Sequence, residues 1–294
     1  MSSQYPRSGH NPDRRGINRR VFIVGCPRSG TTVLQRCVAA HSRIGSFPET
    51  DFFAKLVGGR KGRCLAWLNR VGEERRARAW EKIGRVFGTD ALPDDPVSAR
   101  RFDTEVDRYV QMLDARVAAQ GRDIWLEKTP RHFRYVDLIE RAVPASAFVH
   151  IVRDGRAVVG SIVDRAVKYP DQFGAERDPV TAARLWNEAI RCTAARIRRS
   201  NDMVVRHEAL TQSPEQSLRA LCAWIGVAYE PGMHEMTAGQ SIVEPQEFWK
   251  QDAQSGVRPV TDKFEEVVGE RDRQRVNKIL DWRAFDRLCR SCKH

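Results

Sequence analysis

Val21-Phe22-Ile23-Val24-Gly25-Cys26-Pro27-Arg28-Ser29-Gly30-Thr31-Thr32 is an apolar run that ends in a glycine-bounded loop and then enters an amphipathic segment. Strand, loop and helix in that order are the layout of a phosphate-binding loop, where backbone N–H groups and a helix N-terminus surround an anion. Gly25 and Gly30 have the spacing of the nucleoside-triphosphate loop GxxxxGK[ST]. Thr31, however, stands where that loop carries the Lys that reaches the β/γ-phosphates. The cation comes earlier, at Arg28. The loop is therefore expected to hold an anion shorter than a triphosphate.

Outward from the loop, continuous apolar runs alternate with helical patterns. Val21–Val24, Ile124–Leu126, Ala147–Val152 and Met203–Val205 read as strands. Helices are expected over Thr31–Ala40, over Asp51–Val71 with a break at Gly58-Gly59, and over Glu73–Phe87, Arg101–Ala119 and Arg131–Ala142. Others are expected after Arg153-Asp154-Gly155-Arg156 through Val167, and over Asp178–Arg199, Pro214–Ile225 and 262–283. Residues 91–96 and 231–260 read as loops. Buried strands separated by helices indicate an α/β fold with a parallel sheet and helices on both faces. In such sheets ligands bind beyond the carboxyl ends of the strands. Polar residues are densest at three of those ends, 25–32, 127–130 and 153–156. One site at these ends is the expectation.

Composition sets the outer bounds. The 294 residues can bury a large core, and residues 1–18 are polar and read as a disordered tail ahead of one domain over 19–294. No stretch approaches the ~18 apolar residues of a membrane span, and no secretory h-region precedes the first strand, so a cytoplasmic protein is expected. A net charge of +12 suits a polyanionic ligand or merely a solvated basic surface. Seven cysteines, an odd and scattered set, are expected to be free thiols. Cys289-x-x-Cys292 is a lone pair to which His294 adds one further ligand, short of the four of a zinc site, and no metal is expected.

The motifs together resemble a family. Pro27-Arg28-Ser29-Gly30-Thr31-Thr32 resembles the 5′-phosphosulfate loop of sulfotransferases that use 3′-phosphoadenosine 5′-phosphosulfate (PAPS). Phe148-Val149-His150-Ile151-Val152-Arg153, followed by Ser161 eight residues after the Arg, resembles their 3′-phosphate motif. Glu127-Lys128-Thr129-Pro130 is similar to a Lys-Pro signature of the carbohydrate and tyrosyl-protein branches. Glu49-Thr50-Asp51-Phe52-Phe53 is similar to the segment that supplies their catalytic Glu. The resemblance spans about Arg20 to Pro259 and implies a three-layer fold like that of P-loop NTPases.

It also implies roles. Arg28, Ser29, Gly30, Thr31 and Thr32 would hold the 5′-phosphosulfate, and Arg28 would lean over the bridging and sulfuryl oxygens. Arg153 and Ser161 would hold the 3′-phosphate, a guanidinium fork giving directional bonds. Lys128 would stabilise the departing phosphate or the sulfuryl group, and Glu49 would take the acceptor's proton. His207 stands where the family has a Tyr that contacts adenine, and Arg258 lies in a late basic loop similar to the one that closes over the nucleotide. Taken singly, each is ordinary: Arg28 and Lys128 could be solvated, Glu49 could serve a helix N-terminus, Ser161 is an unremarked helix residue. Asp51 and His41 are neighbouring rivals of Glu49, His41 being the more natural end of the preceding helix. Phe52 and Phe53 could wall an acceptor pocket or simply pack, and Trp125, Trp186, Trp224 and Trp282 read as core.

The reading is sulfuryl transfer from PAPS to a hydroxyl of a glycan, glycoconjugate, peptide or natural product, releasing adenosine 3′,5′-bisphosphate, with no metal and no nucleic-acid partner. Two alternatives stay open. One is a small-molecule kinase, against which the missing loop Lys argues. The other is a non-catalytic basic protein that binds polyanions, resting on charge alone.

Overall fold

The computed structural model describes residues 16–91, 100–235 and 263–291. Five strands form one parallel sheet in the order β2-β3-β1-β4-β5: β1 Arg19–Gly25, β2 Ile44–Ser46, β3 Ile124–Lys128, β4 Ser146–Val152 and β5 Asp202–Arg206. The helices are α1 Thr31–Ala39, α2 Phe52–Leu56, α3 Arg60–Trp67, α4 Glu73–Phe87, α5 Phe102–Ala118, α6 Val136–Ala142 and α7 Gly155–Lys168. They continue with α8 Pro170–Phe173, α9 Pro179–Ala194, α10 His207–Gln212, α11 Pro214–Ile225, α12 Phe264–Val267, α13 Glu270–Ile279 and α14 Trp282–Ser291.

Strand periodicity explains the layers. Val21 and Ile23 face one side with Ile124, Leu126, Val149 and Ile151, and pack against Leu34, Cys37 and Val38 of α1 and Leu218 and Leu221 of α11. Phe22, Trp125, Phe148 and Val152 face the other side, where they meet α5 (Val110, Leu113), α7 (Val158, Val159, Ile162) and α9 (Trp186, Ile190). Phe22 stacks on Phe148 at 5.6 Å and takes Trp125 edge-on at 5.1 Å. Both faces of the central strands are buried, so these strands read as continuous apolar runs.

Strand order places the site. The chain runs from β1 outward to β2, returns to β3, then crosses to β4 and β5, so the order reverses between β1 and β4. β3, β1 and β4 are neighbours, and register sets Ile23 opposite Lys128 and Gly25 opposite Ile151. The polar ends 25–32, 127–130 and 153–156 therefore stand side by side, as the sequence suggested.

Several boundaries differ from expectation. The helical run 262–283 is interrupted: Val268 and Gly269 are extended between α12 and α13, and α13 ends at Ile279. A further helix, α14, follows, with Asp281 Oδ1 accepting from the Ala284 N–H. The helix expected to Arg199 stops at Ala194, because Arg196 turns inward to a bidentate pair with Asp202. Pro130–Arg134 is a 3₁₀ turn ahead of α6. Residues 92–99 and 236–262, which hold most of the predicted loops and Arg258, lie outside the described residues, as do Cys292 and His294.

Gly160 records how tightly α12 is set on α7. A Cβ there would lie 2.7 Å from the Phe264 nitrogen. Gly160→Ala is expected to destabilise by about 1–3 kcal/mol through overpacking, outweighing a helix-propensity gain of ~1 kcal/mol. Urea-unfolding midpoints of the variant and parent check this.

Candidate active site

The loop after β1 takes its shape from two left-handed residues, Arg28 (φ 71°) and Gly30 (φ 90°), with the Ser29 N–H donating to the Cys26 carbonyl between them (3.2 Å). Gly is required at position 30, since a side chain there would overlap the His207 ring. Among the described residues no side chain caps α1, whereas Asp154 caps α7 through the Arg156 and Ala157 N–H groups (2.8 and 3.1 Å). Asp154 is thus the N-cap of α7. An uncapped first turn of this kind is the arrangement that suits an anion.

The second motif closes on the first. Arg28 Nε donates to Ser161 Oγ (3.1 Å), and an Arg153 NH group donates to the Arg28 carbonyl (3.2 Å). Arg153 is buried; its own carbonyl accepts from Trp186 Nε1 (2.9 Å), and the Asp154 N–H donates to Glu208 Oε1 (2.9 Å). Two segments more than 120 positions apart therefore share one hydrogen-bonded cluster at the reversal point of the sheet.

The third group lies at the other side of α1. Lys128 Nζ pairs with Glu49 Oε1 and lies 3.5 Å from Thr32 Oγ1. Lys128 is buried, while the Glu49 carboxylate is partly open to solvent. One rival to Glu49 lies elsewhere: His41 is buried against the Ala228 carbonyl (2.8 Å). Asp51 stays nearby, its carboxyl pushed up by burial and by the charge of Glu49. Phe52 and Phe53 are fully buried packing residues, Phe52 stacked on Tyr109 at 4.1 Å.

Sequence reading missed what holds this group together. Glu127, fully buried, accepts from Thr50 Oγ1 (2.9 Å), Thr129 Oγ1 (2.5 Å) and His132 Nδ1 (3.2 Å). Thr50 also meets Tyr109 OH (3.0 Å), and the Asp51 N–H donates to Thr129 Oγ1 (3.3 Å). Burial alone would raise the Glu127 pKa, but the His132 charge and the three hydrogen bonds outweigh it and hold the carboxyl below its usual value. A charged residue closing an apolar strand was the available signal.

His207 begins α10 beneath the loop, ring against Gly30. Burial, then the charge of Arg153, depresses its pKa from 6.5 to about 4, so the ring is neutral at physiological pH. Arg258, outside the described residues, has no place assigned here. Among the described residues no cluster of three His, Cys, Asp or Glu could hold a metal ion, and no helix is long and apolar enough to cross a membrane.

Comparison with known proteins identifies the family and the fold. The family model described as "Sulfotransferase family" matches residues 20–231, and the chain belongs to that family. A protein-tyrosine sulfotransferase 2 from Gallus gallus is 27% identical over 226 residues, which are 75% of this chain but only 55% of the relative's length. The sulfotransferase domain of the Synechococcus olefin synthase superposes with a TM-score of 0.58 at 20% identity, covering 92% of this chain and 98% of that domain. A mouse sulfotransferase solved with adenosine 3′,5′-bisphosphate (PAP) has the same fold, with a TM-score of 0.53 at 9% identity, covering 89% of this chain and 82% of that one.

The His207 shift makes stability pH-dependent. Unfolded, the imidazole binds its proton near pH 6.5; folded, it resists until about pH 4. The unfolded state then holds more protons, so stability is full above 6.5 and falls as pH drops towards 4, by about 3 kcal/mol. His207→Asn is expected to remove this part of the acid sensitivity, seen as a shallower fall in urea-unfolding free energy between pH 6.5 and 4.5.

Proposed function

We propose that this chain transfers the sulfuryl group of PAPS to an acceptor hydroxyl, with Glu49 as general base. The observation that carries the reading is the Lys128–Glu49 pair set beside Thr32, at the mouth of an anion loop that lacks the P-loop Lys. The residues present suit the donor. The uncapped turn of α1, with Ser29 to Thr32, offers N–H and hydroxyl donors to a 5′-phosphate. Arg153 and Ser161 offer donors to a 3′-phosphate, and Arg28 joins the two groups.

When bound, PAPS supplies an activated sulfur with a phosphate leaving group. The acceptor oxygen attacks sulfur in line, an O–S bond forms, and the bond from sulfur to the bridging oxygen breaks. Glu49 takes the hydroxyl proton, and its pairing with Lys128 positions the carboxylate beside Thr32. Lys128 and Arg28 stabilise charge on the departing phosphate and the sulfuryl oxygens, work that Mg²⁺ performs in kinases. Glu127 holds Thr50 and Thr129, the neighbours of Glu49 and Lys128, and so fixes the separation of base and cation. His207 braces Gly30 from below, and Arg258, outside the described residues, is proposed from its sequence motif alone as a second ligand of the 3′-phosphate. The similarity to a protein-tyrosine sulfotransferase favours a tyrosyl hydroxyl among the possible acceptors; its pKa near 10 makes a nearby base useful.

Glu49→Gln is expected to lower kcat by at least about 100-fold while PAP affinity, measured by calorimetry, stays within about threefold. Arg153→Ala should instead weaken PAP by about tenfold or more. Transfer should be undiminished in a chelator. Turnover by Glu49→Gln at the parental rate would overturn the base assignment.

A further inference from the structure

Three independent features converge on the seam between α3 and α6, whose lining contains no residue assigned to sulfuryl transfer. The first is a cavity of about 330 Å³, lined by Arg60, Arg63, Cys64 and Trp67 on one side and by Arg134, Tyr135, Asp137 and Leu138 on the other. Positions 60, 63, 64 and 67 are the i, i+3, i+4, i+7 stripe of α3, the stripe that normally carries apolar residues into a neighbouring helix. Here it carries two arginines and a thiol, and the seam stays open. The volume falls in the range of small-ligand sites.

The second feature is charge. Arg134 is neutralised by Glu188 through two hydrogen bonds (2.9 and 2.5 Å), and Asp137, the one carboxylate of the lining, turns to Arg196 (2.5 Å), which Asp202 and Glu140 share. Among the described residues no carboxylate pairs with the guanidinium of Arg60 or Arg63, so the cavity keeps positive charge. The third feature is exposed apolar surface. Trp67 is 54% exposed and Leu68 71%, two of the three large hydrophobic side chains described as exposed. Trp67 is held rather than mobile: Arg141 lies 4.7 Å over one ring face and donates to the Trp67 and Ala66 carbonyls (3.2 and 2.8 Å). Tyr135 on the opposite wall is fixed through its hydroxyl to the Gly58 carbonyl (2.8 Å).

We propose that this seam is a second binding site, for a small aromatic anion whose sulfate or carboxylate meets Arg60 and Arg63 and whose ring lies against Trp67. Guanidinium groups match both anions in fork geometry, and a fixed indole gives a ring a flat partner at low entropic cost. Aryl sulfates and aryl carboxylates share this chemistry.

Cys64 is exposed inside the site and serves as a reporter that needs no enzyme assay. The probes are two aromatic disulfides, anionic dithiobis-nitrobenzoate and neutral dithiodipyridine, with Cys64→Ser subtracting reaction at other thiols. The ratio of anionic to neutral rate at Cys64 is expected to exceed that of a neutral cysteine peptide by about tenfold and to fall with salt. Arg60→Gln with Arg63→Gln should abolish the excess, while an equal loss of charge at the remote Arg219 and Arg275 should not. Millimolar nitrophenyl sulfate or nitrobenzoate should slow both reagents saturably, and the more effective of the two identifies the anion. An absent excess, an excess that survives Arg60→Gln/Arg63→Gln, or equal protection by inorganic sulfate or an acidic peptide would each overturn the proposal. Unchanged urea midpoints in the Gln variants show that the fold is retained.

Discussion

Glu127 is a carboxylate with no access to water, and its hydrogen bonds to Thr50, Thr129 and His132 keep it ionised there. Removing any one donor would leave a buried charge poorly satisfied, which costs several kcal/mol. Thr50 and Thr129 are therefore not free to move apart. Glu49 precedes one and Lys128 precedes the other, so the spacing of the proposed base and its cationic partner is fixed from behind, by a residue that takes no part in the chemistry.

The rest of the site hangs on the sheet in the same way. Parallel pairing puts Lys128 level with Ile23 and brings Ile151 level with Gly25, so three chain segments arrive at one height above the sheet. Arg28 then ties the loop after β1 to α7 through Ser161, and Arg153 ties the end of β4 back to Arg28. The charge of Arg153 has a second effect: with burial, it keeps His207 neutral beneath Gly30. A neutral ring can lie against a loop shaped for an anion without adding a further buried charge.

What could be read from sequence follows from the strength of the local signal. Val21–Val24 is buried on both faces and announces itself as an unbroken apolar run, Ala147–Val152 as one interrupted only by the buried His150, and α4 and α11 match their predicted ranges because their apolar stripes and end signals agree. β2, only Ile44-Gly45-Ser46, has too little apolar content to show and exists because β3 pairs with it. α14 was not expected, although Trp282, Phe285, Leu288 and Cys289 recur at helical spacing; its buried Ala284, Phe285 and Leu288 pack against Trp186 and α9. In the site, Arg28, Arg153, Ser161, Lys128 and Glu49 were legible through the resemblance of their motifs to a known family, and the structure brings them together in two hydrogen-bonded groups. The Thr50–Glu127–Thr129 linkage was not, because it joins residues 77 positions apart.

The central claim is that this loop, short of a P-loop Lys and joined to Arg153 and Ser161, is built for a nucleotide with one phosphate at each of two positions rather than three in a row. Calorimetric titration of the same protein with adenosine 3′,5′-bisphosphate and with ATP–Mg²⁺ tests it most directly. The account predicts that the bisphosphate binds at least about 100-fold more tightly, a difference of ~2.7 kcal/mol. Equal affinity, or preference for ATP–Mg²⁺, would contradict it.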